Sequence, residues 1–249
     1  MPKAIVAVGG GLIRTKGTNG IDREIIRLSR KKPPRLLFIP TASSDSEDYW
    51  RQVREYFGDF WKCKTDVLWL IREHPSHRQI KEKILSADVI YVGGGNTLLM
   101  MRLWRRLGVD RLLRQAYERG IVLSGISAGA ICWFDCGHSD SMAFYHPGNW
   151  KYINVRGLGI VKGIYCPHYD SGTLRIPRRK YFRDMIAKIG GVGIGVENNC
   201  AIEIVDDQFR IIASKPQAKA YRVRKRQGRV VAEQIPRQEQ FVPIESLWA

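Results

Sequence analysis

Along the first half of the chain, short apolar runs alternate with segments whose apolar residues recur every three or four positions. Ala4–Val8, Arg35–Ile39, Asp66–Ile71, Val89–Val92 and Ile121–Leu123 read as buried strands. Between them, helical spacing predicts helices over Ile21–Arg30, Ser46–Phe57, His77–Leu85, Leu98–Leu107 and Val109–Glu118; Ile21, Ile25, Ile26 and Leu28 mark the apolar face of the first. Pro40 stops one strand and Gly108 separates the last two helices. This alternation implies parallel strands with helices on both faces. The second half is less regular. A helix is expected over Tyr181–Ile189, and short strands over Ile194–Glu197, Ala201–Val205, Phe209–Ala213 and Ala220–Arg224. Asp206-Asp207-Gln208 and Gln227-Gly228 read as hairpin turns, so a short antiparallel C-terminal extension is expected to complete the sheet. No internal repeat or linker divides the chain, and residues 1–249 are read as a single α/β domain.

Composition narrows the class. Hydrophobic residues make up 44%, aromatics 10% and charged residues 26% of 249 positions, values that exclude a disordered, collagen-like or fibrous chain. No apolar run approaches the roughly 18 residues of a membrane span. Ala4–Val8 is too short for the core of a signal peptide. The expectation is a soluble cytoplasmic protein. Five cysteines, Cys63, Cys132, Cys136, Cys166 and Cys200, form no disulfide framework. Cys132 and Cys136 lack the second pair of a zinc site, so no metal and no cofactor are expected. Cys132 and Cys166 are read as small buried hydrophobes.

Lys plus Arg exceeds Asp plus Glu by 17 (41 − 24). Such a charge suits acidic ligands, but the basic residues are scattered. Two local clusters, Arg102 to Arg119 and Lys215 to Arg229, lack the interleaved aromatics of a base-stacking platform. A basic, solubilising surface is the expectation, with no nucleic-acid partner.

The sharpest local feature is Gly125-Ile126-Ser127-Ala128-Gly129, which follows the strand Ile121–Leu123 and precedes the helix-like run Ala130–Phe134. Small neighbours on a strand-to-helix turn are what a nucleophile elbow needs, with Ser127 at the tip and the Ala128 N–H available to an oxyanion. A serine nucleophile requires a base. Of the five histidines, His74 and His77 lie in a polar loop, while His168 closes a short strand in Tyr165-Cys166-Pro167-His168-Tyr169-Asp170; His138 and His146 are the other candidates. Asp135, Asp140 and Asp170 are the candidate carboxylates to hold the imidazole. A second cluster, Gly93-Gly94-Gly95-Asn96-Thr97, ends a strand and opens a helix. It suits either phosphate binding or a second oxyanion donor facing Ser127, and its place at the same sheet edge favours the second. Gly9-Gly10-Gly11 ends the first strand with no assignable role.

Val92-Gly93-Gly94-Gly95-Asn96-Thr97, Gly125-Ile126-Ser127-Ala128-Gly129-Ala130 and Cys166-Pro167-His168-Tyr169, in this order, resemble the dipeptidase E and cyanophycinase family of serine peptidases. His138-Ser139-Asp140-Ser141, read as a polar loop after the elbow, places the resemblance nearest the bacterial dipeptidase E-like branch. The resemblance implies a class I glutamine amidotransferase-like fold, a mainly parallel sheet between helices. It implies Ser127 as nucleophile, His168 as base, Gly95 and Ala128 as oxyanion donors and Asp140 as the nearest match for the acid. Dipeptidase E holds a substrate aspartate with an arginine beyond its histidine. The shorter segment here offers Arg175, Arg178 and Arg179, of which Arg178 sits best. Asn96 and Arg178 are therefore the candidate substrate-binding residues. The implied function is a serine exopeptidase for short peptides, including dipeptides with N-terminal Asp. The alternatives are a cyanophycinase-like hydrolase of β-aspartyl peptides and a non-catalytic member that binds an anion or nucleic acid. An ordinary esterase fits less well, because its histidine falls much nearer the C-terminus.

Overall fold

In the computed structural model, which describes residues 2–173 and 176–249, the chain begins as the predicted alternation. It runs β1 (Ala4–Val8), α1 (Asn19–Leu28), β2 (Arg35–Ile39), α2 (Glu47–Val53), β3 (Lys64–Val67), α3 (His77–Ser86), β4 (Val89–Val92), α4 (Thr97–Leu107), α5 (Val109–Glu118), β5 (Val122–Ile126) and α6 (Ala128–Ile131). There follow β6 (Phe134–Ser139), β7 (Ile153–Arg156), β8 (Val161–Cys166), β9 (Gly172–Thr173), β10 (Ile176–Pro177), α7 (Arg178–Ile189), β11 (Val192–Val196), β12 (Cys200–Val205), β13 (Gln208–Ala213), β14 (Ala220–Arg226), β15 (Arg229–Ile235) and β16 (Val242–Pro243).

The strands divide between two sheets. One has the order β16-β13-β12-β1-β5-β4-β2-β3 and the other β15-β14-β11-β8-β6-β7, while β9 and β10 pair as a short ribbon. From β1 to β3 the first sheet is parallel, and β12, β13 and β16 extend it antiparallel. The α/β class is as expected. The extension, however, is shared: β14 and β15 continue the second sheet instead, as an antiparallel hairpin turning at Gln227-Gly228, both at positive φ.

Continuous apolar runs are what a strand covered on both faces requires. In β1, Ile5 and Ala7 join Leu37, Ile39, Ile90 and Val92 on one face, packed under Ile84, Trp104 and Leu113 of α3–α5 and against Tyr165 and Ile194 of the second sheet. Val6 and Val8 join Phe38 and Tyr91 on the other face, under Ile21 and Ile25 of α1 and Val53 of α2. Phe182 and Ile186 of α7 cover the far side of the second sheet.

Several local expectations shift. The strand predicted over Asp66–Ile71 lies earlier, and α2 runs on as a π-helical turn over Arg54–Phe60. The run Ala130–Phe134 is not one helix, because Phe134 already opens β6. His138 and Ser139 belong to that strand, fully buried between β7 and β8, and are not in a polar loop. Ser139 is met internally, its hydroxyl on Thr97 at 3.1 Å, whereas His138 packs its ring on Tyr152 at 4.2 Å between centroids and its Nε2 has no hydrogen-bond partner among the described residues. Among the described residues no helix is long and apolar enough to cross a membrane.

The chain passes from the first sheet to the second through α6, directly after Ser127, and returns through Glu197-Asn198-Asn199, between β11 and β12. These two of the chain's crossings between the sheets lie at the carboxyl ends of parallel strands, where open α/β sheets bind ligands.

Candidate active site

Ser127 links β5 to α6 with φ 58° and ψ −114°. A non-glycine residue in such a conformation costs about 1–3 kcal/mol and persists only where its surroundings enforce it. Here the Ser127 N–H donates to the Val8 carbonyl (3.1 Å), and the Ser127 carbonyl accepts from Ala130 and Ile131 (both 3.0 Å). The side chain is partly exposed, and its hydroxyl has no hydrogen-bond partner among the described residues. Gly94 lies beside it, within 3.3 Å of Ser127 Cβ when its own Cβ position is built. Gly95 adopts φ +136°, and a side chain there would run into the Ala42 carbonyl at 2.2 Å.

Among the described residues no backbone acceptor takes the Gly95 N–H, and the Ala128 N–H opens α6, where a helix start leaves its donors free. Asn96 serves the fold. It is 4% exposed, its N–H donates to Ala42 (2.7 Å), and its Oδ1 caps α4 by accepting from the Leu99 N–H (3.1 Å). The Oδ1 of this candidate substrate-binding residue is thus occupied by a helix cap.

His168 follows β8, with φ 50° and its N–H on the Gly9 carbonyl at 2.9 Å. Nucleophile and histidine thus hang from two consecutive carbonyls, Val8 and Gly9, at the end of β1. The third carbonyl, Gly10, accepts from Asn199 at 2.7 Å. The glycine turn without an assignable role is the backbone hub of the site. It must also stay narrow, because a Cβ on Gly10 would stand 2.1 Å from Asn198 Oδ1 and 2.4 Å from His168 Nδ1.

The His168 Nδ1 contact is to Asn198 Oδ1, at 2.7 Å. Asn198 is held in turn by Asp170, whose Oδ1 accepts from both Asn198 Nδ2 and the Asn198 N–H at 2.9 Å. With the amide nitrogen turned to the carboxylate, the amide oxygen faces the ring. The network therefore assigns the proton to Nδ1 and leaves Nε2 as the basic atom. Burial first, and then the Arg178 charge, hold the imidazole below its ordinary pKa of 6.5; Asn198, Asp140 and Asp170 oppose this.

Asp140, the expected acid, makes no hydrogen bond to His168. Its Oδ2 accepts from Arg178 (2.8 Å) and from the Thr173 hydroxyl (2.6 Å). Arg178, expected to bind substrate, is 1% exposed. Its terminal nitrogens also donate to the His138 carbonyl (2.9 Å) and Thr173 (3.1 Å), with its guanidinium 4.9 Å over the Tyr152 ring and its Nε buried without a partner among the described residues. Removing one partner from a buried ion pair costs about 3–5 kcal/mol, so this guanidinium is committed to the fold. Arg179 pairs with Glu197 at 3.0 Å and lies over Tyr169 and Tyr221. Arg175 lies outside the described residues.

The remaining candidates fall elsewhere. Asp135 accepts from the Gly163 N–H (2.8 Å). Burial holds His138 neutral by pulling its pKa far down, and His74, His77 and His146 are exposed. Cys132 and Cys166 are fully buried, their thiol pKa values raised by that burial.

A serine on a strained strand-to-helix turn and a histidine with its Nδ1 tied down, both bonded through their backbones to the end of β1, are features that a serine-hydrolase site on an α/β fold requires. The chain belongs to peptidase family S51, whose profile matches residues 5–212, and it is a serine peptidase. It is 36% identical over 223 residues to the uncharacterized peptidase YgaJ of Bacillus subtilis, covering 89% of this chain and 92% of that one. It is 27% identical over 191 residues to a peptidase E of Nostoc, covering 73% of each. A crystal structure of a peptidase from an acI-B1 actinobacterium superposes with a TM-score of 0.75 at 20% identity, over 98% of this chain and 97% of that one. A putative peptidase E of Listeria monocytogenes gives 0.65 at 19%, over 86% and 99%. At these identities the two structures attest the fold alone.

Proposed function

We propose that this protein is a serine exopeptidase that hydrolyses short peptides through Ser127, His168 and an acyl-enzyme. The observation that carries this reading is the pairing of the Ser127 and His168 backbones with consecutive carbonyls of β1, with His168 Nδ1 on Asn198. Nε2 of His168 takes the Ser127 proton as Oγ attacks the scissile carbonyl. The oxygen of the tetrahedral intermediate is received by the N–H groups of Gly95 and Ala128. The imidazolium then gives its proton to the leaving amine, and water, activated by the same nitrogen, releases the acyl group.

Asn198 and Asp170 are positioning residues in this scheme: the amide fixes the tautomer, and the carboxylate fixes the amide. The arrangement parallels proteases whose histidine is held by asparagine in place of a carboxylate. The scheme needs no metal. Selectivity for an N-terminal aspartate is not part of the proposal, because Arg178, the best placed of the candidate arginines in sequence, is buried against Asp140, Thr173 and the His138 carbonyl.

Hydrolysis of a dipeptide panel by the parent protein, Ser127→Ala and His168→Ala tests the reading. Cleavage by the parent, reduced by about ten-thousand-fold or more in both variants, is the expected result. Unchanged cleavage in Ser127→Ala would overturn it.

A further inference from the structure

The contact that orients His168 joins positions 30 residues apart, and one side chain outside both segments holds the two together. Arg179 is the second residue of α7. Its Nη2 donates to Glu197 Oε1 at 3.0 Å, one residue before Asn198. Its guanidinium also lies 4.8 Å from the ring centroid of Tyr169, one residue after His168, and 5.0 Å from that of Tyr221. These contacts close a circuit. It runs from Arg179 to Glu197, along the chain to Asn198, across 2.7 Å to His168 Nδ1, along the chain to Tyr169, and back to the guanidinium.

Both anchors are fixed on their far sides. Tyr169 is fully buried, and its N–H donates to the Val196 carbonyl at 3.1 Å. Its ring rests on β11 so closely that a Cβ on Gly195 would stand 2.6 Å from it. Glu197 is buried as well. Its Oε2 accepts from the Lys219 N–H (2.9 Å), its N–H donates to the Lys219 carbonyl (3.0 Å), and its carbonyl oxygen would meet a Cβ on Gly9 at 2.3 Å. Among the described residues Arg179 is the cation paired with this carboxylate. A buried carboxylate that loses its cation is drawn toward water, and Asn198 is the next residue on the chain. The planar guanidinium bonds the carboxylate with its edge and covers the rings with its face, two tasks that an ammonium does not combine.

Resting on the exopeptidase reading, we propose that Arg179 is a positioning residue for the base. It clamps the His168 segment to the Asn198 segment and so keeps Nδ1 on the amide oxygen. Asp170 ties the amide itself; Arg179 ties the two stretches of backbone on which amide and ring are mounted. This gives Arg179 a part in turnover with no contact to substrate. The outer side of Arg179 opens on a groove of 780 Å³, lined also by Lys180, Arg183 and Val230, so a small cation in solution can reach the place that a truncated side chain vacates.

The test reads the clamp directly and through turnover. The His168 Nδ1 proton is followed by NMR on protein labelled with ¹⁵N at histidine and is assigned by its loss in His168→Gln. In the parent it should be protected from exchange with water. Arg179→Ala is expected to speed that exchange and to lower kcat for a cleaved dipeptide, each by about tenfold, with KM within about twofold of the parent. Arg179→Lys should fall the same way, and methylguanidine should restore kcat to Arg179→Ala while leaving the parent unchanged. Glu197→Gln removes the charge and should move both readings in the same direction by less. It serves as the test if Arg179→Ala melts early. An Nδ1 proton equally protected in the parent and in the folded variants would overturn the proposal. So would a KM that rises at constant kcat, which would assign Arg179 to substrate, or the lack of a protected Nδ1 proton in the parent. Failure of the serine mechanism would show separately, as turnover that survives Ser127→Ala, because the proton is read without turnover.

Discussion

The proposed nucleophile and the proposed base are built in different ways on the two sheets. Ser127 needs little beyond its own neighbourhood. The turn, the helix start with its free Ala128 N–H and the strained backbone all lie within Val122–Ile131, and one distant carbonyl, Val8, completes the support. His168 depends on two distant segments as well as its own: β8 brings the ring and Asp170 holds Asn198, but Gly9 holds its backbone and Asn198 holds Nδ1. A local motif tolerates change outside itself, whereas a base oriented through a chain of contacts fails at any link. The difference predicts where the enzyme is fragile.

Outside Ser127 and His168 themselves, the largest effect is expected at Gly10, which touches no substrate in the proposed scheme. Gly10→Ala would push a methyl group into the His168–Asn198 contact. Peptide hydrolysis should fall by at least about a thousandfold, on the scale of an imidazole with its tautomer lost. Loss of less than about tenfold in a folded variant would show that the pair is not needed. Asn198→Ala comes next, with kcat falling about a hundredfold and KM little changed. Asp170→Ala removes a link one step further out and should cost about 10–100-fold.

A purely structural role for Asp170 would leave the pH profile in place. The Asp170 charge favours the imidazolium, so its removal should move the acidic limb of kcat/KM to still lower pH. In the parent that limb already lies below 6.5, because burial and the Arg178 charge both disfavour protonation and keep the base neutral there. A limb above 6.5 in the kinetic profile would contradict this.

The smallest effect on catalysis, and a clear one on stability, is expected on the other side of the first sheet. Asp22 is fully buried with Thr18 and Tyr56 on its Oδ2, and burial raises its pKa from 3.8 to about 7. A folded-state pKa above the unfolded one favours the fold while the group is protonated. The contribution is complete below about 3.8 and is lost as pH rises through about 7. Asp22→Asn keeps an acceptor for both hydroxyls and never ionises. Its melting temperature at pH 8 should match or exceed that of the parent and change less between pH 5 and 8. A lower melting temperature at pH 8 would contradict the assignment.

The same contrast explains what the sequence reveals. The elbow is legible because its geometry is written in contiguous small residues. The parallel strands are legible because their two-sided burial leaves unbroken apolar runs. His168 is legible from its place at a strand end. Asn198 is not, because a search for a carboxylate passes over an amide; the available signal was a polar Glu197-Asn198-Asn199 run directly after a strand. Asp140 misleads in the opposite way. It is an acid near the elbow in sequence, yet the buried Arg178 claims it in space. His138 and Ser139 look like a loop because polar residues rarely fill a central strand, and the packing of His138 on Tyr152 and the bond of Ser139 to Thr97 are long-range matters. Gly9-Gly10-Gly11 announces a close approach without naming what approaches.

The carbonyls of Val8, Gly9 and Gly10 are made first during synthesis, and the last groups they receive are made late. Ser127 can dock once β5 is available to β1, yet the amide that orients the base emerges only at Asn198, next to the strand β12 that closes the other side of β1. A nascent chain therefore carries Ser127 for a long stretch of translation without Asn198 to orient His168, and in the proposed scheme the site is complete only when the C-terminal strands return to the beginning of the chain.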